Sequence, residues 1–275
     1  MFAHGRTPKT VWSSFGRKRS RRRKATDVPN TTEMLDVGYE IMNDIGDTYW
    51  WYCARREIMV GIIERQLPVG ARIIDLGCGN GAITALLRDR GYKTTAADIS
   101  PIALEDCARR GLEVIDLRDR PLPERSADCV ILGDVLEHVP DDVALIADAR
   151  KSLVPGGILL ITVPAFEFLW SGEDFISRHY RRYRRGQLVS ALQAAGFNKI
   201  WASYYNTLLF PVIVGIILMK RIFRPREMYK SDLAPLPDSL NQFLYNVFRS
   251  ETRILKRMTL PIGASIIAVA TLKDN

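Results

Sequence analysis

The stretch DLGCGNG, residues 75–81, sets one acid and three alternate glycines into seven positions. Gly77, Gly79 and Gly81 let the backbone pass close to a ligand without Cβ clashes, and a helix starting there turns free N–H groups toward it. The spacing is G-x-G-x-G, with Ala82 where the third glycine of a dinucleotide fingerprint would fall. Asp98 lies seventeen residues after Gly81, and Asp116 follows within VIDL. At Asp98 a carboxylate can accept from two ribose hydroxyls and repel a 2′-phosphate, and at Asp116 it can bind an adenine amino group. Any one of these acids alone reads as a solvated loop residue. Three at successive strand ends, beside the glycine turn, read as one ligand-binding rim.

A second chemical cluster is SRHYRRYRRG, residues 177–186, with five arginines, His179, Tyr180 and Tyr183. Arginine interleaved with aromatics is what a nucleic-acid surface uses. At helical spacing Arg178, Arg181, Arg182 and Arg185 share a face that can clamp a phosphate or carboxylate, or pair with acids of the preceding half. His179 is placed after the fifth strand, where the acceptor side is expected, and histidine as a residue type, with an unperturbed pKa of about 6.5, suits a base at neutral pH. His138, in GDVLEHV, reads either as a base or as a cap or pocket residue. Tyr180 and Tyr183 either orient an acceptor or pack, and Asp174 is a weaker base candidate.

The elements that must position these groups alternate. Residues 33–67 carry a helical pattern with Ile58, Ile62 and Ile63 at helical spacing. Short β-rich runs follow (the apolar start of ARIIDLGCGNG, then YKTTAADIS, LEVIDL, ADCVILGD and ILLITVP), separated by helical stretches, one opening on Pro101 and one closing on Pro-Gly-Gly. That alternation predicts βαβ units and a doubly wound, mostly parallel α/β sheet covered by helices on both faces. Beyond residue 165 the pattern loosens into a helix (GQLVSALQAAG), a strand near NKIWASYYN, an apolar run and a closing β-like run, GASIIAVATL. The run LLFPVIVGIILM, 208–219, spans about 18 Å as helix, short of a ~30 Å bilayer core. It reads as a buried strand–helix element, an interfacial element beside Lys220, Arg221, Arg224 and Arg226, or a dimer contact.

Composition is ordinarily globular, with 47% hydrophobic and 25% charged residues, so the net charge of +8 matters mainly through its distribution. Residues 1–24 carry +9, 25–69 carry −5, 70–176 carry −7 and 177–275 carry +11. A neutral core weighs against nucleic acid as partner. The basic, polar N-terminus reads as a disordered tail over 1–30, solvated or anchoring to anionic lipid or nucleic acid. Four dispersed cysteines and three histidines form no Cys/His metal motif or disulfide framework, so no metal is expected and a cytoplasmic setting fits.

In order, IIDLGCGNG, Asp98, VIDL, ILGDVLEHV and LVPGGILLITVP resemble the successive motifs of class I S-adenosylmethionine-dependent methyltransferases over residues 71–165. The resemblance implies a Rossmann-like seven-stranded sheet of order 3-2-1-4-5-7-6, its last strand antiparallel. It implies S-adenosyl-L-methionine beside Gly77, Gly79, Gly81 and Gly133, with Asp75 near its amino group. Asp98 and Ile99 would hold the ribose, and Asp116 with Leu117 would face the adenine. YWWYCARREIM, SRHYRRY and LPIGASIIAVA are similar to a narrower subgroup's Trp-Trp…Arg-Arg helix, His-x-Arg-Arg-Tyr element and closing hairpin; there the residue before the histidine is commonly glycine, here Arg178. On this reading 31–275 is one methyltransferase domain: a helical cap over 31–69, a cofactor half over 70–165, and an acceptor half over 166–275 with an apolar insertion at 207–222. His179, His138 and Tyr183 are the catalytic candidates. Arg181, Arg182, Arg185 and Trp51 are the acceptor-binding candidates. The expected acceptor is a small or lipid-linked, anionic molecule methylated on oxygen, with an anionic membrane as a partner through the tail and 207–226 at the inner membrane face. The alternatives are a nucleic-acid-modifying methyltransferase and a non-catalytic cofactor-binding scaffold. Oligomeric state is not legible.

Overall fold

Why the central strands read as unbroken apolar runs is clear from where their side chains go. In a computed structural model, residues 45–224, 231, 233 and 235–273 are described. The basic tail at 1–30, and residues 31–44 of the helical cap, lie outside them. Seven strands form one sheet of order β3-β2-β1-β4-β5-β7-β6. They are β1 (Arg72–Leu76), β2 (Lys93–Asp98), β3 (Glu113–Asp116), β4 (Ala127–Gly133), β5 (Leu153–Pro164), β6 (Lys199–Tyr205) and β7 (Ser265–Thr271). All pairs are parallel except β5–β7 and β6–β7, so the strand order and the antiparallel last strand are as expected.

Each central strand is buried on both faces. Ile73, Cys129, Ile131, Ile158, Leu160, Ile267 and Val269 point into one apolar layer. Their neighbours Ile74, Val130, Leu132, Leu159, Ile161, Ile266 and Ala268 point into the other. The first layer packs under α1 (Trp50–Gln66), α2 (Ala82–Asp89) and α8 (Asp238–Leu255). The second packs under α4 (Asp142–Lys151) and α6 (Arg185–Ala194). A smaller cluster seats α3 (Pro101–Arg109) through Cys107 on Ala96. Between these lie the five-residue α5 (Gly172–Ile176) and α7 (Phe210–Phe223).

Two expectations from the C-terminal third change. The 208–219 run is helix rather than strand and mostly not buried: it lies almost wholly in α7, where Ile217 is the one buried residue, with Leu209 buried just before the helix starts. Its start is fixed from α8, because the buried Glu251 carboxylate accepts from the Thr207 and Leu208 N–H groups at 2.7 and 2.8 Å. The arginine stretch is not a helix before Arg185. Residues 177–184 run as a turn and an extended return along the end of β5, bridging Ala165 to Tyr183. Arg178 has φ +53°, so it takes the left-handed conformation that the subgroup's glycine would hold more easily.

Gly81 opens α2 at φ +73°. A Cβ there would stand 2.7 Å from Cys107 Sγ and 2.8 Å from Leu112 Cδ1, so this glycine lets α2 start against α3. Gly81→Ala is expected to destabilise by about 2–3 kcal/mol, from left-handed strain and overpacking together. The check is a lower urea midpoint at unchanged slope. An unshifted midpoint would mean the α2–α3 contact gives way freely.

Candidate functional site

The C-terminal ends of β1, β2, β4 and β5 open onto one cavity of about 590 Å³. A crevice at that edge of a parallel sheet is where α/β proteins bind ligands.

The glycine turn forms one end. Gly77 and Gly79 line the cavity at φ +79° and +53°. A Cβ on Gly77 would meet Val135 Cγ2 at 2.6 Å, so only glycine leaves the turn that close to the loop after β4. Asp98 is buried and accepts from the N–H groups of Ile99 (2.7 Å), Ser100 (2.9 Å) and Gly79 (3.2 Å). Burial raises its pKa against those three bonds. Asp75 is buried beside it and accepts from the Thr84 hydroxyl at 2.5 Å. Burial pushes its carboxyl up to about 6, opposed by the Thr84 hydrogen bond and the Arg55 charge. Two buried acids next to the apolar Ile99 and Ile102 on the same wall fit a ligand carrying a cationic amine, ribose hydroxyls and an apolar ring. S-adenosylmethionine has all three.

The other end is built by two short segments. After β4, Asp134 turns the chain at φ +57° into a single 3-10 turn, Leu136–His138, which places Glu137 and His138 on the cavity. After β5, α5 and the 177–184 return bring in His179 and Arg182. Asp174 joins them. Its carboxylate is fully buried and takes both Nε and Nη2 of Arg182 at 2.8 Å, His179 Nδ1 at 2.7 Å and the Ser171 N–H at 2.7 Å. Burial alone would raise its pKa, but the His179 and Arg182 hydrogen bonds bring it down to about 2. An ionised carboxylate can only accept, so His179 donates its Nδ1–H to Asp174, and Nε2 is the ring nitrogen that Asp174 does not engage. The His138 ring stands edge-on to His179 at 4.6 Å between centroids. Burial, with the His179 ring beside it, pulls its pKa down to about 3. His138 is therefore a neutral imidazole and a poor base near neutrality.

Over the cavity lies α1, where the Arg55 guanidinium sits 5.4 Å above the Trp51 ring and pairs with Asp134 at 2.7 Å. A Cβ on Gly133 would reach Arg55 Nη2 at 2.8 Å, so Gly133 makes room for that arginine. Helix α7 closes a side with Ile213, Ile216, Ile217 and Lys220.

Several expected site residues are elsewhere. Tyr183 is buried away from the cavity, and its hydroxyl donates to Asp142 Oδ2 at 2.8 Å, a packing role rather than a catalytic one. Arg181 is held by Asp142 and by the Val139 and Pro140 carbonyls. Arg185 stacks over Tyr204 in the first turn of α6. Arg182 does line the cavity, but Asp174 neutralises it. No arginine clamp for an anionic acceptor is assembled, because the shared helical face never forms. Asp174 is the group that orients His179, with no free oxygen to act as a base. Gly81 packs against α3 instead of lining the cavity. Asp116 adjoins Asp98 in register, but Arg118 binds its carboxylate, and Leu117 lies in the core. Sequence reasoning missed Glu137, although GDVLEHV contains it, along with Asp134, Thr84 and the α7 wall.

Replacing Asp174 with Asn leaves the nearly buried Arg182 without its counter-charge. The expected loss is about 3 kcal/mol at pH 7, a melting temperature lower by roughly 6–12 °C. A folded-state pKa depressed to about 2 gives stability that is present above the unfolded value of about 3.9 and lost as pH falls through 2. Thermal melts from pH 7 to 2 should show that part of the acid limb in the wild type and not in Asp174→Asn. Equal stability at pH 7 would contradict the assignment.

Comparison with known proteins agrees with this geometry. The methyltransferase-domain family matches residues 51–201, more than half of the chain. The ubiquinone biosynthesis O-methyltransferase of Xanthomonas axonopodis pv. citri is 30% identical over 157 residues, 49% of this chain and 66% of that protein. The protein of the same name from Xylella fastidiosa is 28% identical over 168 residues, 53% of this chain and 68% of the relative. The matched stretch thus spans about two thirds of each relative and half of this chain. Among solved structures, an S-adenosylmethionine-dependent methyltransferase from Thermotoga maritima superposes with a TM-score of 0.53 at 16% identity, over 86% of this chain and 95% of that one. The [4+2]-cyclase SpnF superposes with a TM-score of 0.55 at 20% identity, over 88% and 97%. A cyclase on this fold shows that the fold alone does not name the reaction. With the family match and the cavity's acids and glycines together, this chain belongs to the methyltransferase-domain family and is a class I S-adenosylmethionine-dependent methyltransferase.

Proposed function

We propose that the enzyme methylates a hydroxyl oxygen on a small acceptor with an apolar body, which it meets at an anionic membrane surface. The observation that carries this is the continuity of the cavity: one volume joins Asp75 and Asp98 to His179, with apolar α7 residues along its side. The curated relatives, named for O-methylation in ubiquinone biosynthesis, support an oxygen acceptor.

S-adenosylmethionine supplies an electrophilic methyl group on a cationic sulfur. Asp98 would hold the ribose hydroxyls, and Asp75, ionised above about pH 6, the ammonium group. Gly77 and Gly79 keep the turn open to the ligand. His179 is the group against which the acceptor hydroxyl loses its proton, its ring fixed by Asp174. Much of the rate gain in such a transfer comes from holding the two reactants at about 3–3.5 Å and excluding water. Trp51 and α7 cover the cavity in that role.

The membrane reading rests on α7. Its inner face lines the cavity through Ile213 and Ile217, while Val212, Met219, Ile222 and Phe223 are 56, 52, 69 and 76% exposed. Lys220, Arg221 and Arg224 stand at the C-terminal end of this apolar stripe, the pattern of an interfacial helix on anionic lipid. No helix among the described residues is long and apolar enough to cross a membrane. The basic tail, Pro225 and Arg226 lie outside the described residues.

With labelled S-adenosylmethionine and a cell extract, label should enter an organic-soluble product in an alkyl–oxygen bond; label in nucleic acid would refute the reading. His179→Ala should lower kcat by about 10²–10⁴-fold with unchanged affinity for S-adenosylhomocysteine. Asp98→Ala should weaken that affinity more than tenfold, and unchanged binding in calorimetry would refute the ribose assignment. In sedimentation with phosphatidylglycerol-containing vesicles, Met219→Glu/Phe223→Glu should reduce binding at least tenfold. A wild-type protein that stays in the supernatant would end the membrane reading.

A further inference from the structure

We propose that Glu137, His138 and His179 bind a divalent first-row transition-metal ion at the acceptor end of the cavity. Each offers one ligand atom, and these atoms lie within 4.8 Å of one another. Small side-chain rotations would close that spacing onto one ion with bonds of about 2.0–2.2 Å. The second, independent observation is Glu137 itself. It is 1% exposed and lines the cavity, yet neither carboxylate oxygen has a hydrogen-bond partner in another residue. Buried carboxylates are ordinarily paired or fully hydrogen-bonded. The neighbouring acids follow that rule, since Asp134 pairs with Arg55 and Asp174 with Arg182. Among the buried acids described along the cavity, Asp75 and Asp98 accept hydrogen bonds from a hydroxyl or backbone N–H groups, whereas Glu137 has neither a donor from another residue nor an ion pair, and a bound cation supplies the missing partner.

The two imidazoles are set up as ligands. Asp174 takes the Nδ1 proton of His179, leaving Nε2 as a donor atom in the carboxylate–histidine arrangement that orients metal ligands. His138 is hydrogen-bonded to the Ser177 backbone, which holds its ring against His179. Two nitrogens and one carboxylate favour zinc, manganese, iron or cobalt over magnesium or calcium. Three protein ligands leave positions open for water or an acceptor oxygen, as in catalytic rather than structural sites.

The chemistry deepens the O-methylation reading and, for the identity of the acceptor, rests on it; the ligand set does not. A hydroxyl coordinated to such an ion ionises near neutrality: its O–H bond breaks, the oxygen keeps the electron pair, and the proton passes to solvent water. That oxygen is then a nucleophile without a protein base. On this inference Nε2 of His179 holds the ion, and that role replaces the one of proton acceptor given to it above.

No histidine or cysteine motif in the sequence announces this cluster, because its third member is a loop glutamate. The test uses tag-free, full-length enzyme, dialysed against chelator and titrated with Co²⁺, with neither acceptor nor S-adenosylmethionine present. The expected result is saturation at one equivalent, d–d absorption without thiolate charge-transfer bands, and competition by Zn²⁺ in calorimetry. Glu137→Gln, nearly isosteric, should weaken Co²⁺ binding at least tenfold while S-adenosylhomocysteine still binds, which confirms the fold. No saturable signal, a thiolate spectrum, or wild-type affinity in Glu137→Gln would overturn the site. Because the readout needs no methyl transfer, failure of the site and failure of the O-methylation reading are separable.

Discussion

The acceptor end of this enzyme depends on one buried carboxylate. Asp174 lies at zero exposure, and four donors converge on it: two from Arg182, one from His179 and one from the Ser171 backbone. A lone charge in that position would be strongly unfavourable, and the fork geometry of arginine is what makes it tolerable. The consequence is architectural. Arg182 also reaches the Ala165 carbonyl, and its own N–H meets Glu167, so the return strand is stitched to the end of β5. Tyr180 N–H then donates to the Glu137 carbonyl, tying the same segment to the turn after β4. The positions of His179, His138 and Glu137 all trace back to this node.

The cofactor end solves a similar problem with backbone. Asp98 has no cationic partner; three N–H groups, from Gly79, Ile99 and Ser100, stabilise it. Those amides are available because the glycine turn and the start of α3 point them inward. Such an acid is fixed in place yet still borders the cavity, as a group that must exchange partners with a ligand should be. Asp174 is the opposite case, closed on all sides and suited to orienting rather than binding. Two buried aspartates thus differ in role because their donors differ.

What could be read from sequence follows from how local each determinant is. β1, β4 and β5 were legible because strands buried on both faces are almost wholly apolar, and the more polar β2 and β3 because glycine and proline turns set them off between helical stretches. Asp98 and the glycines were legible for the same reason. Helical spacing fails for the arginines because Arg178 turns the chain at φ +53°, a left-handed conformation that no local pattern announces. Arg181 and Tyr183 went to Asp142, forty residues away, a partner set by tertiary packing. Helix α8 was overlooked, although Leu240, Leu244, Val247 and Phe248 recur at helical spacing; its fit against α1 becomes evident only once both share a core layer. Glu137 was invisible because a lone acid in a loop is ordinarily solvated, and its burial is a property of the assembled site.

Helix α7 joins the two halves of the argument. A helix that lines a cavity on one side normally turns polar residues to water on the other. Here both sides are apolar, and at fourteen residues the helix is about 21 Å long, enough to lie along an interface and too short to cross one. Its N-terminus is clamped by Glu251 from α8, so it is held in place from the protein side and stays exposed on the other. On the membrane reading proposed above, an acceptor with an apolar body would pass from lipid toward the His179 end along Ile213, Ile216 and Ile217, with Lys220 at the C-terminal end of that wall. The exposed outer face of that wall, at Val212, Met219, Ile222 and Phe223, is the feature on which that proposal rests.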